Sequence, residues 1–536
     1  MVQNNETPPP VLDTHVDASR LPLSLRLSDI LSWRAAKVAN EPAVIYERQP
    51  FAGIVLTWGE LDYKARQFAR GLATHNVKRG SRVALVLQDS PGCLATLFAI
   101  WRLGAVVIPI DERWAVGTAE AVIPHADAVC ITGGNAPSFA LGTSGAFVSF
   151  EELERTHLGA PHATAGHCDD LAMITYTSGT TSNPKGVMLR HRHLRNAYRI
   201  ARDSLFNSVP NRIGHVFRTA GLGALGITYL FGMECGVPVV VLTELGVETA
   251  RGFWKVVKRN SVDFIYLVPT LVQLLTRISE PFEDPRTILC ITGGAPISER
   301  THSMFQDRFG HPLRNVYGLT EASCGFLWGA HEPSGRGAWH LGRPPRSIQI
   351  RLRDPTGRSG ESFTEGELEV SGPILSDGYW KNPLATREVF VDGWLRTGDI
   401  ARRDKHDNYT ITGRMKNVVI RGGFNIHLEE VDEILLAHPD VVSACTVGIT
   451  DGSCEEELAA MVKLKAGATT TEEDLANWCR ARIGSSKTPG KIVLASDDLP
   501  RNSSGKIMRA EVVRTIHESR YAGSNLRVGV SSNGRL

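Results

Sequence analysis

Tyr176-Thr-Ser-Gly-Thr-Thr-Ser-Asn-Pro-Lys-Gly-Val187 begins as an apolar strand and runs into a loop dense in hydroxyls and glycine that ends in a cation. Backbone N–H groups freed at Gly179 and Gly186, the hydroxyls of Thr177, Ser178, Thr180 and Thr181, and the Lys185 ammonium could together surround a polyphosphate. The loop is not a Walker A motif. That motif needs Gly-Lys-Ser/Thr at the opening of a helix, whereas here Pro184 precedes Lys185 and Gly186 follows it. Taken alone, the stretch reads equally well as a Ser/Thr-rich surface turn.

The flanking sequence sets the fold class. Upstream, helix and strand patterns alternate: a helix at Leu27 to Ala39, strands at Ala43 to Tyr46 and Ile54 to Thr57, and a helix from Trp58 to His75. A strand at Arg82 to Leu87, a helix at Cys93 to Leu103 and a strand at Ala105 to Ile110 follow. Such alternation implies right-handed βαβ units around a largely parallel sheet. The rhythm resumes at Leu171 to Tyr176, Val237 to Leu242 and Thr287 to Thr292. After about Arg336 short strands alternate with Gly, Pro and Asp turns, as in a barrel or meander. From Gly413 a βαββαβ-like run begins, with one amphipathic helix at Leu428 to His438.

The expected fold is therefore α/β: a large N-terminal domain over 23–412, with two α/β subdomains and a small β-barrel from about 336, then a small mobile α+β domain over 413–520. Segments 1–22 and 521–536 are expected to be disordered from their polar, Pro-rich and Gly/Ser-rich compositions.

Further blocks extend the phosphate-loop signal. Gly293-Gly-Ala-Pro296, Asn315-Val-Tyr-Gly-Leu-Thr-Glu321, Gly378-Tyr-Trp380 and Gly393-Trp-Leu-Arg-Thr-Gly-Asp399 come first. Gly413-Arg-Met-Lys-Asn417, Gly422-Gly-Phe-Asn-Ile-His427 and Leu499-Pro-Arg-Asn-Ser-Ser-Gly-Lys-Ile-Met-Arg509 complete the series. In this order, over about residues 25 to 520, they resemble the adenylate-forming superfamily, which includes acyl- and aryl-CoA ligases, peptide-synthetase adenylation domains and beetle luciferases.

The resemblance implies that ATP and Mg²⁺ convert a carboxylic acid to acyl-AMP and pyrophosphate, and that the acyl group then passes to a thiol, most plainly that of CoA. A carboxylate is a poor electrophile, and a mixed anhydride with AMP supplies the leaving group. Bringing two anions together calls for cations where charge builds at the α-phosphate. By resemblance Lys506 is the bridging cation, and Glu321 holds Mg²⁺ with the hydroxyls of Thr320 and Thr180. Asp399 accepts from the ribose hydroxyls at a Thr-Gly-Asp turn. Tyr317, followed by Gly318, stacks on adenine opposite Gly293, Gly294, Ala295 and Pro296, and Asn315 reads its amino group. Arg414 reaches the nucleotide from the domain boundary, Lys416 is the hinge, and Gly422 and Gly423 line the channel for the thiol.

Three places depart from the family pattern. Ser182 replaces a glycine in the phosphate loop, and Asn417 replaces a common acidic residue after the hinge. Arg218, in Phe217-Arg218-Thr219, stands where many acyl-CoA ligases carry His and amino-acid-activating domains carry Asp. An α-ammonium would face a guanidinium there, so Arg218 is expected to meet a second anionic or strongly polar group on the acid. The competing reading pairs it with a nearby carboxylate.

Gly221-Leu-Gly-Ala-Leu-Gly226, with Glu244 ending the next apolar strand, mimics a dinucleotide fingerprint and would make the chain an oxidoreductase. That reading leaves the ordered blocks unexplained. Other readings are loading of a separate carrier protein, transfer to an amine, and a nucleotide-binding pseudoenzyme.

Composition narrows the remaining classes. At 42% hydrophobic and 22% charged residues the chain fits a globular protein rather than a collagen or coiled coil. The balance of 59 Lys and Arg against 57 Asp and Glu offers no general attraction to nucleic acid or anionic membrane. Nine cysteines lie singly with no CxxC pair, which favours a reducing cytoplasm over a zinc site or disulfide framework.

Overall fold

The computed structural model describes residues 21–22, 24–111, 121–131, 146–155, 166–177, 184–206, 209–219, 221–280, 286–329, 340–354, 357–360, 363–421, 424–450, 456–501 and 505–524. Two parallel-type sheets form the N-terminal half. The first has six strands in the order Ala146–Ser149, Ala128–Ile131, Arg82–Leu87, Val106–Asp111, Leu171–Thr177 and Lys185–Arg190. All its neighbours are parallel except the last pair, which forms a hairpin around the phosphate-loop sequence.

The second sheet has eight strands: Cys324–Leu327, Leu313–Leu319, Leu289–Gly293, Phe264–Leu267, Ile213–His215, Val239–Val241, Pro42–Tyr46 and Val55–Thr57. Pro42–Tyr46 runs parallel to Val239–Val241, about two hundred positions away in sequence, rather than joining the parallel strands that follow it. Periodicity identifies the strand but not its partner.

Local chemistry explains the helix starts. Thr57 and Glu60 form a reciprocal capping box on the helix Trp58–Thr74. Ser90 caps the helix Pro91–Arg102, whose first position is proline. That helix is buried on nearly every face and carries Phe98 and Trp101 into the main core.

A third, antiparallel sheet contains Ser359–Gly360, Gln349–Arg353, Glu365–Ser371, Trp394–Arg403 and Phe390–Val391, with Tyr409–Arg414 paired along Trp394–Arg403. The C-terminal unit begins with a hairpin, Val418–Arg421 and Phe424–His427. The strands Val441–Thr450, Glu456–Leu464 and Lys491–Leu494 and the helices Leu428–Leu436, Glu472–Lys487 and Arg509–Ser524 follow. Its core centres on Val431, Leu435, Leu458 and Leu475.

Both expected disordered ends need trimming. Leu21 is buried, and the carbonyls of Pro22 and Leu25 accept from Arg195 Nη1 at 2.7 and 3.0 Å, so the chain is pinned before residue 23. The last helix continues to Ser524. The rest of both segments lies outside the described residues.

Candidate active site

Two of the family-matching blocks, Gly293–Pro296 and Asn315–Glu321, lie at the carboxyl ends of neighbouring parallel strands of the second sheet, where open α/β sheets bind ligands. Gly293 closes Leu289–Gly293. Gly294 follows at φ +81°, and a Cβ on Gly293 would lie 2.5 Å from the Val316 carbonyl. Asn315, Tyr317 and Gly318 lie on the neighbouring strand, with Thr292 opposite Asn315. At Gly318 a Cβ would fall 1.7 Å from the Cys324 carbonyl, so only glycine fits this bulged hairpin. Thr320 and Glu321 form the short 3₁₀ turn that follows.

Asp399 lies inside the strand Trp394–Arg403 rather than at a turn. The register against Glu365–Ser371 shifts there, and Gly398 takes φ +70°. Its backbone N–H donates to Thr397 Oγ1 at 3.1 Å. Its carboxylate is 3% exposed and takes the Arg414 guanidinium at 2.7 Å on Oδ1 and the Tyr317 hydroxyl at 2.5 Å on Oδ2. Burial raises the Asp399 pKa, against the pull of Arg414, Tyr317 and Lys506. Tyr317, expected as a flat shelf for adenine, has its ring edge-on to Phe326 and its hydroxyl engaged by Asp399.

Lys506 approaches from the C-terminal unit. A Cβ placed on Gly505 would lie 3.7 Å from Thr270 Oγ1, so this loop rests against the N-terminal half. Gln273 Nε2 donates to the Val442 carbonyl at 3.3 Å and Arg300 Nη1 to the His438 carbonyl at 3.4 Å across the same boundary. The Lys506 side chain keeps contact with solvent, yet desolvation first and Arg414 second lower its pKa, with Asp399 opposing.

Around the phosphate loop, Thr177 and Lys185 pair at the end of the hairpin from which the loop springs. Ser178, Gly179, Thr180 and Thr181 lie outside the described residues, as do Gly422, Gly423 and the Lys416 side chain. The Lys185 ammonium stands 5.1 Å from the centre of the Tyr379 ring, and the Tyr379 hydroxyl donates to Glu321 Oε1 at 2.7 Å. Tyr379 is held there because residues 377–380 pair with the strand Lys185–Arg190. Trp380 N donates to the Gly186 carbonyl at 2.7 Å and Met188 N to that of Gly378 at 3.0 Å. Gly378, at φ +98°, leaves no room for a Cβ beside Thr386.

Tyr379 is thus a candidate site residue whose role the sequence does not show: Gly378-Tyr-Trp380 stands out as a block, but its link to Glu321 does not. Glu321 and Thr320 offer hard oxygen atoms beside a cationic loop, a donor set that fits Mg²⁺. Among the described residues the one cluster with metal-ligand spacing elsewhere is His167, Cys168 and Asp169, where Asp169 is already paired to Arg192 at 2.5 Å.

Arg218 makes an ion pair with Glu244 at 2.9 Å, both about half exposed. Behind its loop lies a buried cluster. Asp89 takes Arg48 at 2.6 Å, His215 Nε2 at 2.9 Å and the Thr219 hydroxyl at 2.5 Å, which holds its carboxyl well below the usual range against desolvation. The decoy glycines Gly221, Gly223 and Gly226 enter a nearly continuous helical stretch through Cys235, and Glu244 is committed to Arg218. No dinucleotide turn forms between them.

These features have the layout of an adenylating fold, with Asp399, Tyr317 and Arg414 gathered in one place. Residues 31–380 match the family described as AMP-binding enzyme, and residues 430–506 match the AMP-binding enzyme C-terminal domain. The chain belongs to this AMP-binding enzyme family and is an adenylate-forming ligase of the acyl- and aryl-CoA synthetase kind.

Among its relatives, a feruloyl-CoA synthase from Amycolatopsis sp. is 31% identical over 503 residues, covering 91% of this chain and 99% of that protein. A sulfoacetate–CoA ligase from Cupriavidus necator is 28% identical, covering 95% and 99%. In fold, ATP-bound MatB from Rhodopseudomonas palustris superposes with a TM-score of 0.80 at 24% identity, over 92% of this chain and all of that one. The anthranilate CoA ligase AuaEII with anthranoyl-AMP gives 0.82 at 21% identity, over 95% and 100%. No helix among the described residues is long and apolar enough to cross a membrane.

Proposed function

We propose that the chain joins a small carboxylic acid bearing a second polar or anionic group to CoA, through acyl-AMP. The reading rests above all on the seating of the Lys506 loop against Thr270, which brings this ammonium into electrostatic reach of Arg414 and Asp399. In the first half-reaction the acid's carboxylate oxygen attacks the α-phosphorus and the bond to the β-phosphate breaks, releasing pyrophosphate. Lys506 neutralises the two anions as they meet. Asp399 accepts from the ribose hydroxyls, and its partners Tyr317 and Arg414 hold it in place.

Glu321 and Thr320 would hold Mg²⁺, which when bound draws charge from the phosphate oxygens. Tyr379 fixes the Glu321 carboxylate, and Lys185, near the same ring, supplies a cation for the phosphates. In the second half-reaction the CoA sulfur attacks the acyl carbon and AMP leaves, after the C-terminal unit has turned about Lys416.

For the acid, Arg218 stands ready to exchange Glu244 for a substrate anion. Relatives named for sulfoacetate and ferulate fit an acid with a second anionic or polar group. Pyrophosphate release with aryl, fatty, dicarboxylic and sulfonated acids, each with and without CoA, tests the proposal. The expected result is release with a doubly functional acid and a thioester once CoA is added. Release without thioester would point to a carrier protein or amine acceptor, and no release from any acid would overturn the proposal.

A further inference from the structure

Beyond this function, the hinge itself carries an unexpected connection. Asn417 ends the short turn Met415–Asn417, immediately after the strand Tyr409–Arg414 leaves the N-terminal half. Its side-chain Nδ2 donates to Glu429 Oε1 at 2.5 Å, in the first turn of the helix Leu428–Leu436. The same carboxylate oxygen takes Arg509 Nη2 at 3.2 Å. Arg509 opens the last helix three residues after Lys506. It also pairs with Asp432 at 2.7 Å and donates to the Thr446 carbonyl, while Thr446 N donates back to Asp432. Arg509, Glu429 and Asp432 are 25%, 14% and 15% exposed, so water competes little for these contacts.

We propose that Asn417, Glu429 and Arg509 form a strap that locks the pivot end of the C-terminal unit to the loop carrying Lys506. Asn417 and Glu429 are then positioning residues for adenylation. One carboxylate oxygen is the shared contact of both ends, so rotation at residue 416 reaches Lys506 without slack. Play at a pivot is amplified at the far end of a lever, and a misplacement of about 1 Å at the reacting centre can cost about a hundredfold in rate. Asparagine suits this place because an acid would face Glu429 with like charge at hydrogen-bond distance.

The inference rests on Lys506 acting in adenylation, and the test separates the two. Asn417→Asp, Glu429→Gln and the double variant are compared with the parent in pyrophosphate release without CoA, in KM for ATP, and in hydrogen exchange at residues 505–509. Asn417→Asp is expected to lower the adenylation kcat about tenfold, with KM for ATP within about twofold and faster exchange at 505–509. In the double variant the introduced carboxylate accepts from the introduced amide, whose carbonyl still accepts from Arg509. Rate and exchange should recover to within about threefold of the parent. Parent-like kcat and exchange in Asn417→Asp, or no recovery in the double variant, overturns the strap. If the parent itself forms no acyl-AMP, the functional reading fails and the exchange comparison alone decides the strap.

Discussion

Replacing Tyr379 with phenylalanine removes one oxygen from the site and little else. The aromatic ring stays beneath Lys185, 5.1 Å from the ammonium, so that contact persists. What disappears is the 2.7 Å bond from the hydroxyl to Glu321 Oε1. A hydrogen bond to a charged acceptor contributes about 1.5–3 kcal/mol net. If that energy serves to orient Glu321 for the metal and phosphates in the transition state, adenylation slows by about 10- to 150-fold, at about 1.4 kcal/mol per tenfold. The loss should be partly recovered at high Mg²⁺, because a loosely held carboxylate binds the ion more weakly. Pyrophosphate release measured across a Mg²⁺ series reads both effects. Rates within twofold of the parent at every Mg²⁺ concentration would refute the assignment of Tyr379 and, with it, the placing of the metal at Glu321.

Other outcomes follow from the same geometry. Because desolvation and Arg414 lower the Lys506 pKa, its ammonium is lost at a lower pH than that of a free lysine. The adenylation rate should fall on the alkaline side below the ordinary lysine value, and Lys506→Arg should move that limb upward. Arg218→Ala removes an ion pair between half-exposed groups, worth about 0–1 kcal/mol. Melting temperature should hardly change while KM for the acid rises and KM for ATP does not; an unchanged KM for the acid would remove Arg218 from substrate recognition. Asp89→Ala strands Arg48 and His215 in the interior and should cost about 3–5 kcal/mol in denaturant unfolding. Since the folded Asp89 pKa is depressed, its stabilisation is present above the unfolded aspartate pKa and fades as pH falls below it. A loss in Asp89→Ala that does not shrink on acidification would contradict this.

The sequence makes most of the elements legible, because apolar periodicity, Thr57 and Ser90 caps and Pro91 act over a few residues. Strand partnership is a long-range matter. Nothing in Pro42–Tyr46 announces Val239–Val241 as its neighbour, since the two segments lie about two hundred positions apart and local periodicity carries no information about such a pairing. The site divides in the same way. The blocks carrying Asp399, Glu321 and Lys506 stand out in the sequence, but their cross-links do not. Tyr317 and Asp399 are 82 positions apart, and Tyr379 and Glu321 are 58 apart. The Thr-Gly-Asp sequence reads as a turn, whereas the structure absorbs it as a bulge because Glu365–Ser371 and Tyr409–Arg414 flank it on both sides. Arg218 reads as an inverted charge that meets either a substrate group or a nearby carboxylate, and the identity of that carboxylate, Glu244, emerges only when the two loops are brought side by side.

In the proposed mechanism the Lys506 ammonium serves the first half-reaction and not the second. Lys506→Ala, followed in a single turnover from acid and ATP to acyl-AMP, and separately from supplied acyl-AMP and CoA to thioester, reads both steps. Loss of a preorganised charge-stabilising group predicts adenylation reduced at least about a hundredfold, with acyl transfer within a few-fold of the parent. Adenylation at the parent rate in this variant would contradict the mechanism.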